Sequence, residues 1–297
     1  MRVASAWRRG AALVAAAATL AAAPAPVRSP GEIAAAAPAS AWRDIPADAL
    51  LVMTLGDGRR VTIELAPGFA PAHVANIRAL ARAGGYDGRA ITRVQDNYVV
   101  QWGDAADRRA TPTGVIAKPA AEYDRPVAGL ALTLLPVRDA YAAHVGFAGG
   151  WPVASEEGRA WLPHCYGFVG VGRDMPPDTG DGRELYAVIG HAPRHLDRNI
   201  AVVGRVIDGI EALSALPRGT GALGVYERPG QRVPIASIRL AADLPAAGRP
   251  AYQTMRTDGA AFAAYVDARL DRRDAFFVRP AGGADLCNVP VPVRRRP

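Results

Sequence analysis

Ile91-Thr92-Arg93-Val94-Gln95-Asp96-Asn97-Tyr98-Val99-Val100-Gln101-Trp102-Gly103-Asp104 holds two β-prone runs, 91–95 and 98–102, set about Asp96 and Asn97 and closed by Gly103 and Asp104. It carries the most informative side chains of the sequence. Upstream, apolar-rich runs at 50–55 and 60–65 flank Gly56-Asp57-Gly58-Arg59, the pattern of a β-hairpin with an Asp-Gly turn. Pro71 suits a first helical turn, and Val74, Ile77 and Leu80 share one face until Gly84 and Gly85 stop the helix. Downstream, 167–172, 185–189, 200–206 and 233–240 read as strands. A turn-rich loop over 173–183 has the composition of a functional loop, and Asp208 can cap a short helix over 209–215. The reading gives about eight strands and two helices, a mostly β fold.

Outside that frame the pattern changes. Residues 105–163 are rich in Pro and Gly, with only 127–137 clearly apolar, and are expected to be an inserted loop region. Beyond Asp243 the chain runs past what the sheet needs, with a helix expected around 260–272 and a Pro-rich tail. The expected organisation is a signal peptide and flexible linker over 1–37, a domain over 49–242, and an extension over 243–297 that wraps the domain.

Half of the 297 residues are hydrophobic and 21% are charged, so a sizeable core can be buried. The net charge of +7 is concentrated at the ends: without Arg2, Arg8, Arg9 and Arg28 it is +3, and Arg294, Arg295 and Arg296 form a terminal run. No basic stripe with interleaved aromatics offers a nucleic-acid groove. Lys118 is the only lysine, which excludes a P-loop. Gly170-Val171-Gly172 lacks the third glycine and the βαβ unit of a dinucleotide site, and Pro193 between His191 and His195 opposes a helical metal pair, so no cofactor and no metal are expected.

Arg2, Arg8 and Arg9 precede an apolar run from Gly10 to Ala23 and then small residues, the pattern of an export signal cut between about Ala23 and Ala37. An uncut membrane anchor is the alternative. After removal of the signal no stable membrane insertion is expected, and the location would be periplasmic or otherwise exported. In an oxidising space the only two cysteines, Cys165 and Cys287, can pair. The bridge would close a loop of more than a hundred residues, worth on the order of 4 to 5 kcal/mol in the chain-entropy view, and pin the tail. Two separate buried thiols are the other reading.

The stretch 91–104 resembles the F-H-R-x-x-x-x-F-x-x-Q-G-G-D signature of cyclophilin-type peptidyl-prolyl isomerases. Ile63-Glu64-Leu65 followed by Pro71, Asn76, Leu80 and Tyr86-Asp87-Gly88 resembles the family's strand, first helix and Y-x-G turn. Gly170 to Arg173 is similar to its A-M-A-R or A-M-A-N segment, Gly182 to Ile189 to G-S-Q-F-F-I, and Val202 to Gly209 to V-x-F-G-x-V-x-x-G. Five motifs in order cover residues 49–242. The resemblance implies an eight-stranded antiparallel barrel capped by two helices, and isomerisation of X-Pro bonds in unfolded or extended proline-containing polypeptides.

Rotating an X-Pro bond means losing the partial double-bond character behind a barrier of roughly 18 to 20 kcal/mol, with no bond broken. A catalyst needs no nucleophile or metal. It needs a fixed donor for the pyramidal proline nitrogen, an apolar slot for the ring and groups that hold the carbonyl side. The resemblance assigns the first role to Arg93, whose guanidinium is always charged and rigidly forked, and the backbone contact to Gln101. It implies that Tyr98, Val99, Tyr186 and Leu196 line the proline pocket, and that Gly172 and Arg173 contact the residues before proline. Departures from the pattern fall in the same region. Tyr98 replaces a phenylalanine, Glu184 replaces a glutamine and is placed to pair with Arg93, His195 replaces a tryptophan or similar residue, and Ile200 replaces a histidine. Arg93 could otherwise be a structural ion-pair partner, and Tyr98 and Tyr186 plain core aromatics. Two readings compete with the enzyme: a peptide-binding or chaperone module that kept the barrel with little turnover, and a structural envelope protein.

Overall fold

The structure, a computed structural model, describes residues 27–103 and 109–297. Its strands are β1 (Trp42–Asp44), β2 (Leu50–Leu55), β3 (Arg60–Leu65), β4 (Ala90–Val94), β5 (Val99–Gly103), β6 (Arg125–Pro126), β7 (Thr133–Leu134) and β8 (His144–Ala148). They continue with β9 (Trp151–Glu156), β10 (Arg159–Trp161), β11 (Phe168–Val171), β12 (Glu184–Val188), β13 (Val202–Asp208), β14 (Val233–Leu240), β15 (Tyr252–Met255) and β16 (Val293–Arg295). The helices are α1 (Pro30–Ala35), α2 (Pro71–Arg82), α3 (Glu211–Ser214) and α4 (Ala260–Leu270).

Eight strands close a barrel in the order β11-β12-β5-β4-β14-β2-β3-β13, and every pairing in it is antiparallel. Closure removes the unpaired edges that an open sheet would expose. The β2–β3 hairpin turns at Asp57-Gly58, where Gly58 takes φ 86°. Val61, Ile63, Val100, Trp102, Leu185 and Ala187 point inward along their strands, and α2 and α3 seal the barrel with Val74, Ile77, Leu80, Ala212 and Leu213 in the same core. This is the alternation a filled small barrel requires.

Residues 109–163, the described part of the expected insertion at 105–163, depart from the expected loose loop. Within them β6-β10-β9-β8-β7 form an antiparallel five-stranded sheet. Its hairpins turn at Gly149-Gly150 (φ 56° and 86°) and Glu157-Gly158 (φ 48° and 74°), pairs with two left-handed residues that fit tight primed turns. One face carries Val153, Ala160 and Leu162 against Phe168 and Val202 of the barrel. The other carries Val145, Phe147, Ala154 and Trp161 against Met255, Phe262, Tyr265, Leu286 and Val289 of the extension. The central strands β8, β9 and β10 are therefore buried on both faces, which hides the alternation that marks a half-exposed strand.

The expected linker also differs from the sequence reading where it is described. Ser29 caps α1 in a reciprocal capping box with Glu32, and Ile33, Ala34 and Ala37 pack on the extension's core. Apolar side chains that can be buried this way order a segment whose Ala and Pro content suggests a tether. The signal pattern at 1–26 lies outside the described residues. Strand β15 of the extension sits between β1 and β16 in a three-stranded sheet. Cys165 and Cys287 are bonded, 122 residues apart, joining the barrel's flank to the extension. Among the described residues no helix is long and apolar enough to cross a membrane.

Candidate active site

Strand register builds the site on the outer wall of the barrel. Arg93 pairs with Gln101, Gln101 with Tyr186, and Tyr186 with Gly170, a row across four neighbouring strands. Since Val100, Trp102, Leu185 and Ala187 face the core, the period of two sends Val99, Gln101, Glu184, Tyr186 and Val188 outward. Val99, Tyr186 and Val188 form a small buried apolar cluster, with Tyr98 and Ile200 packed against it.

Arg93 is held at every corner of its fork. Its Nε donates to the Leu223 carbonyl at 2.7 Å, Nη1 to Gln101 Oε1 at 2.8 Å, and Nη2 to Gln95 Oε1. The guanidinium carbon stands 5.6 Å from the centre of the Tyr98 ring, within cation–π range. Burial lowers the Arg93 pKa from its ordinary value, with Tyr98, Glu184 and Tyr186 opposing the shift. The group stays cationic. The three acceptors are neutral, so they fix the cation's direction without cancelling its charge. Glu184, expected beside Arg93, favours the cation electrostatically, while its side chain lies over Gly172, where a Cβ would meet it at 2.8 Å.

Gly172, Arg173 and Glu184 line one cavity of about 790 Å³ together with Lys118 and Met175. Arg173 is anchored by Nε to the Asn199 carbonyl at 3.0 Å and by Nη1 to the Asp174 carbonyl at 2.7 Å. The His195 ring lies parallel to Tyr98 with centroids 6.3 Å apart, so it borders the same pocket. Leu196 is half-buried on the 3-10 turn Arg194–Leu196 beside it. The structure thus gathers Arg93, Gln101, Tyr98, Val99 and Tyr186 at one place, with Gly172, Arg173 and Glu184 on one flank and His195 and Leu196 on the other. Sequence reasoning missed Gln95 and the Leu223 carbonyl as partners of Arg93. It also missed His164, which meets the Tyr186 hydroxyl. Asp104, the last residue of the signature, lies outside the described residues.

Comparison with known proteins gives the family and the fold. The family model described as cyclophilin type peptidyl-prolyl cis-trans isomerase/CLD matches residues 50–240. A Brucella suis protein named "Probable peptidyl-prolyl cis-trans isomerase" is 29% identical over 173 residues, which is 58% of this chain and 73% of that one. Peptidyl-prolyl cis-trans isomerase CYP23 of Arabidopsis thaliana is 29% identical over 172 residues, 58% of this chain and 62% of that one. Among solved structures, the cyclophilin AquaCyp293 from Hirschia baltica superposes with a TM-score of 0.67 at 27% identity, covering 86% of this chain and 93% of its own. The chain belongs to the cyclophilin-type peptidyl-prolyl cis-trans isomerase family.

Proposed function

We propose that Arg93 stabilises the twisted amide of an X-Pro bond whose pyrrolidine ring rests on Val99, Tyr186 and Val188. The observation that carries this reading is the clamping of the Arg93 fork by three neutral oxygens beside that apolar cluster. A donor held in advance costs no reorganisation when the nitrogen becomes pyramidal. Gln101 Oε1 accepts from Arg93, which leaves its amide N–H groups as the end that donates to a substrate carbonyl. Gly172 and Arg173 take the residues before proline along the adjoining cavity. The clients are unfolded or extended proline-containing polypeptides, because the row of residues lies on an outer wall that a chain can cross.

An NMR-exchange or protease-coupled assay on a short X-Pro peptide tests the reading. Arg93→Ala lowers kcat/KM by about a hundredfold, the usual cost of losing one preorganised donor, with near-UV circular dichroism unchanged. Equal rates for the two proteins would end the role of Arg93.

A further inference from the structure

We propose that His164 is a positioning residue of this site, holding Tyr186 in the proline pocket through its hydroxyl and so making the sheet of residues 125–161 part of the catalytic apparatus. The inference rests on the reading of the pocket given above. The Tyr186 ring lies across β11 at Gly170, where a Cβ would come within 2.3 Å of the hydroxyl and 2.4 Å of Cζ. Only glycine leaves this path open. At its far end the hydroxyl lies 2.8 Å from His164 Nε2, with the two rings 12° from parallel.

The direction of that bond follows from the next partner. His164 Nδ1 is 3.0 Å from Asp197 Oδ1, which also accepts from the His164 backbone N–H at 2.9 Å. An ionised carboxylate only accepts, so a proton sits on Nδ1, and the Nε2 of the neutral ring accepts from the Tyr186 O–H. Asp197 is fixed in turn. Its Oδ2 accepts from Trp161 Nε1 at 3.3 Å and Arg194 Nε at 2.5 Å, and the Arg194 fork grips both oxygens of Asp139 at 2.9 and 3.1 Å.

The whole chain of groups is out of water: the side chains of His164, Asp197, Arg194 and Asp139 are at most 5% exposed. A buried polar group without a partner is costly, so these bonds have no solvent alternative and hold one geometry. Asp139 and Trp161 belong to the insertion, whereas Arg194 and Asp197 flank His195 and Leu196 on the pocket's rim. One hydrogen-bonded line therefore ties the insertion, the rim turn and the pocket floor together. An apolar ring alone would fill the space over Gly170; the hydroxyl adds a fixed direction.

Steady-state kinetics on an X-Pro peptide for wild type, Tyr186→Phe, His164→Ala and the double variant, each checked by thermal unfolding, test the inference. Tyr186→Phe raises KM about fivefold with kcat kept, the size expected from one positioning hydrogen bond felt equally in ground and transition states. The double variant is no worse in KM than His164→Ala, because the hydroxyl acts only through His164. In ¹⁵N NMR, adding the peptide shifts the His164 Nε2 resonance of wild type and not of Tyr186→Phe, a readout that survives if His164→Ala fails to fold. A wild-type KM in Tyr186→Phe with an unmoved His164 resonance overturns the inference. So does a His164→Ala protein that melts lower yet keeps its KM. A wild type that does not accelerate exchange removes the isomerase role and this inference with it, whereas an accelerated rate that ignores Arg93→Ala removes the role of Arg93 and leaves the inference to the Tyr186 and His164 results. Arg93 dependence with an indifferent Tyr186→Phe removes the inference alone.

Discussion

Arg93 shows how far a residue's role can be read before its surroundings are known. Its spacing from Tyr98 and Gln101 is written in the sequence, and strand register puts Arg93 and Gln101 side by side. What orients the third corner of the fork is not written there. Leu223 contributes a backbone carbonyl from 130 residues away, and every residue type has one. Gln95 is two positions along, and its amide reaches Nη2 because the chain turns after Val94. The same limit hid His164, whose partner Tyr186 is 22 residues distant. The clamp makes a prediction of its own. Gln95→Ala frees Nη2 while leaving two anchors, and kcat/KM falls about tenfold, the low end of the worth of one hydrogen bond to a charged group. Because Gln95 is half-buried at a strand end, the melting temperature stays within a degree or two. Unchanged kinetics would show that Gln101 and Leu223 suffice to aim the cation.

Among the elements, helix α2 illustrates the division between local and distant causes. Pro71 and the apolar face at 74, 77 and 80 foretell it, yet Ala70 at its N-cap offers no side-chain acceptor. The carboxylate of Glu122, from the insertion, takes that part: Oε1 accepts from the Ala72 N–H at 2.9 Å and Oε2 from the His73 N–H at 3.0 Å. It also lies 2.7 Å from His73 Nδ1. A negative group at this end meets both the free N–H groups and the helix dipole. Glu122→Ala therefore lowers unfolding free energy by about 2 kcal/mol, the upper end for a lost cap, and Glu122→Gln by less, measured by urea denaturation. Equal stability would mean that water caps the helix as well. The hairpins of the insertion were open to a closer reading, since Gly149-Gly150 and Glu157-Gly158 are primed-turn pairs. Their partners were not, because which strands pair depends on the extension that covers them.

At the scale of the molecule, three layers are joined by buried charge as well as by apolar contact. Glu64 and Arg205 pair at 2.6 Å on adjoining barrel strands. Arg205 also reaches Thr254 of the extension at 3.2 Å and stands 4.4 Å from the Trp151 ring of the insertion. The line through Asp139, Arg194, Asp197 and His164 does the same on the other flank. Such pairs are weak evidence for stability as a whole, but losing one partner strands the other in a dry interior. For Asp197, burial opposes ionisation, while the hydrogen bonds from His164 and Arg194 and the charge of Arg194 outweigh it and hold the carboxyl below its ordinary value of 3.8. A group depressed on folding stabilises the protein above its unfolded pKa, and that contribution drains away as pH falls through the folded value. The window lies below about pH 4. Urea denaturation of wild type should therefore show stability dropping from pH 5 to pH 3, with a smaller drop in Asp197→Asn. At pH 7 the variant is already weaker by about 3 kcal/mol, because the amide keeps one acceptor oxygen and no charge where Arg194 and His164 each used a carboxylate oxygen. Parallel pH profiles for the two proteins would show that this carboxylate does not hold the layers together.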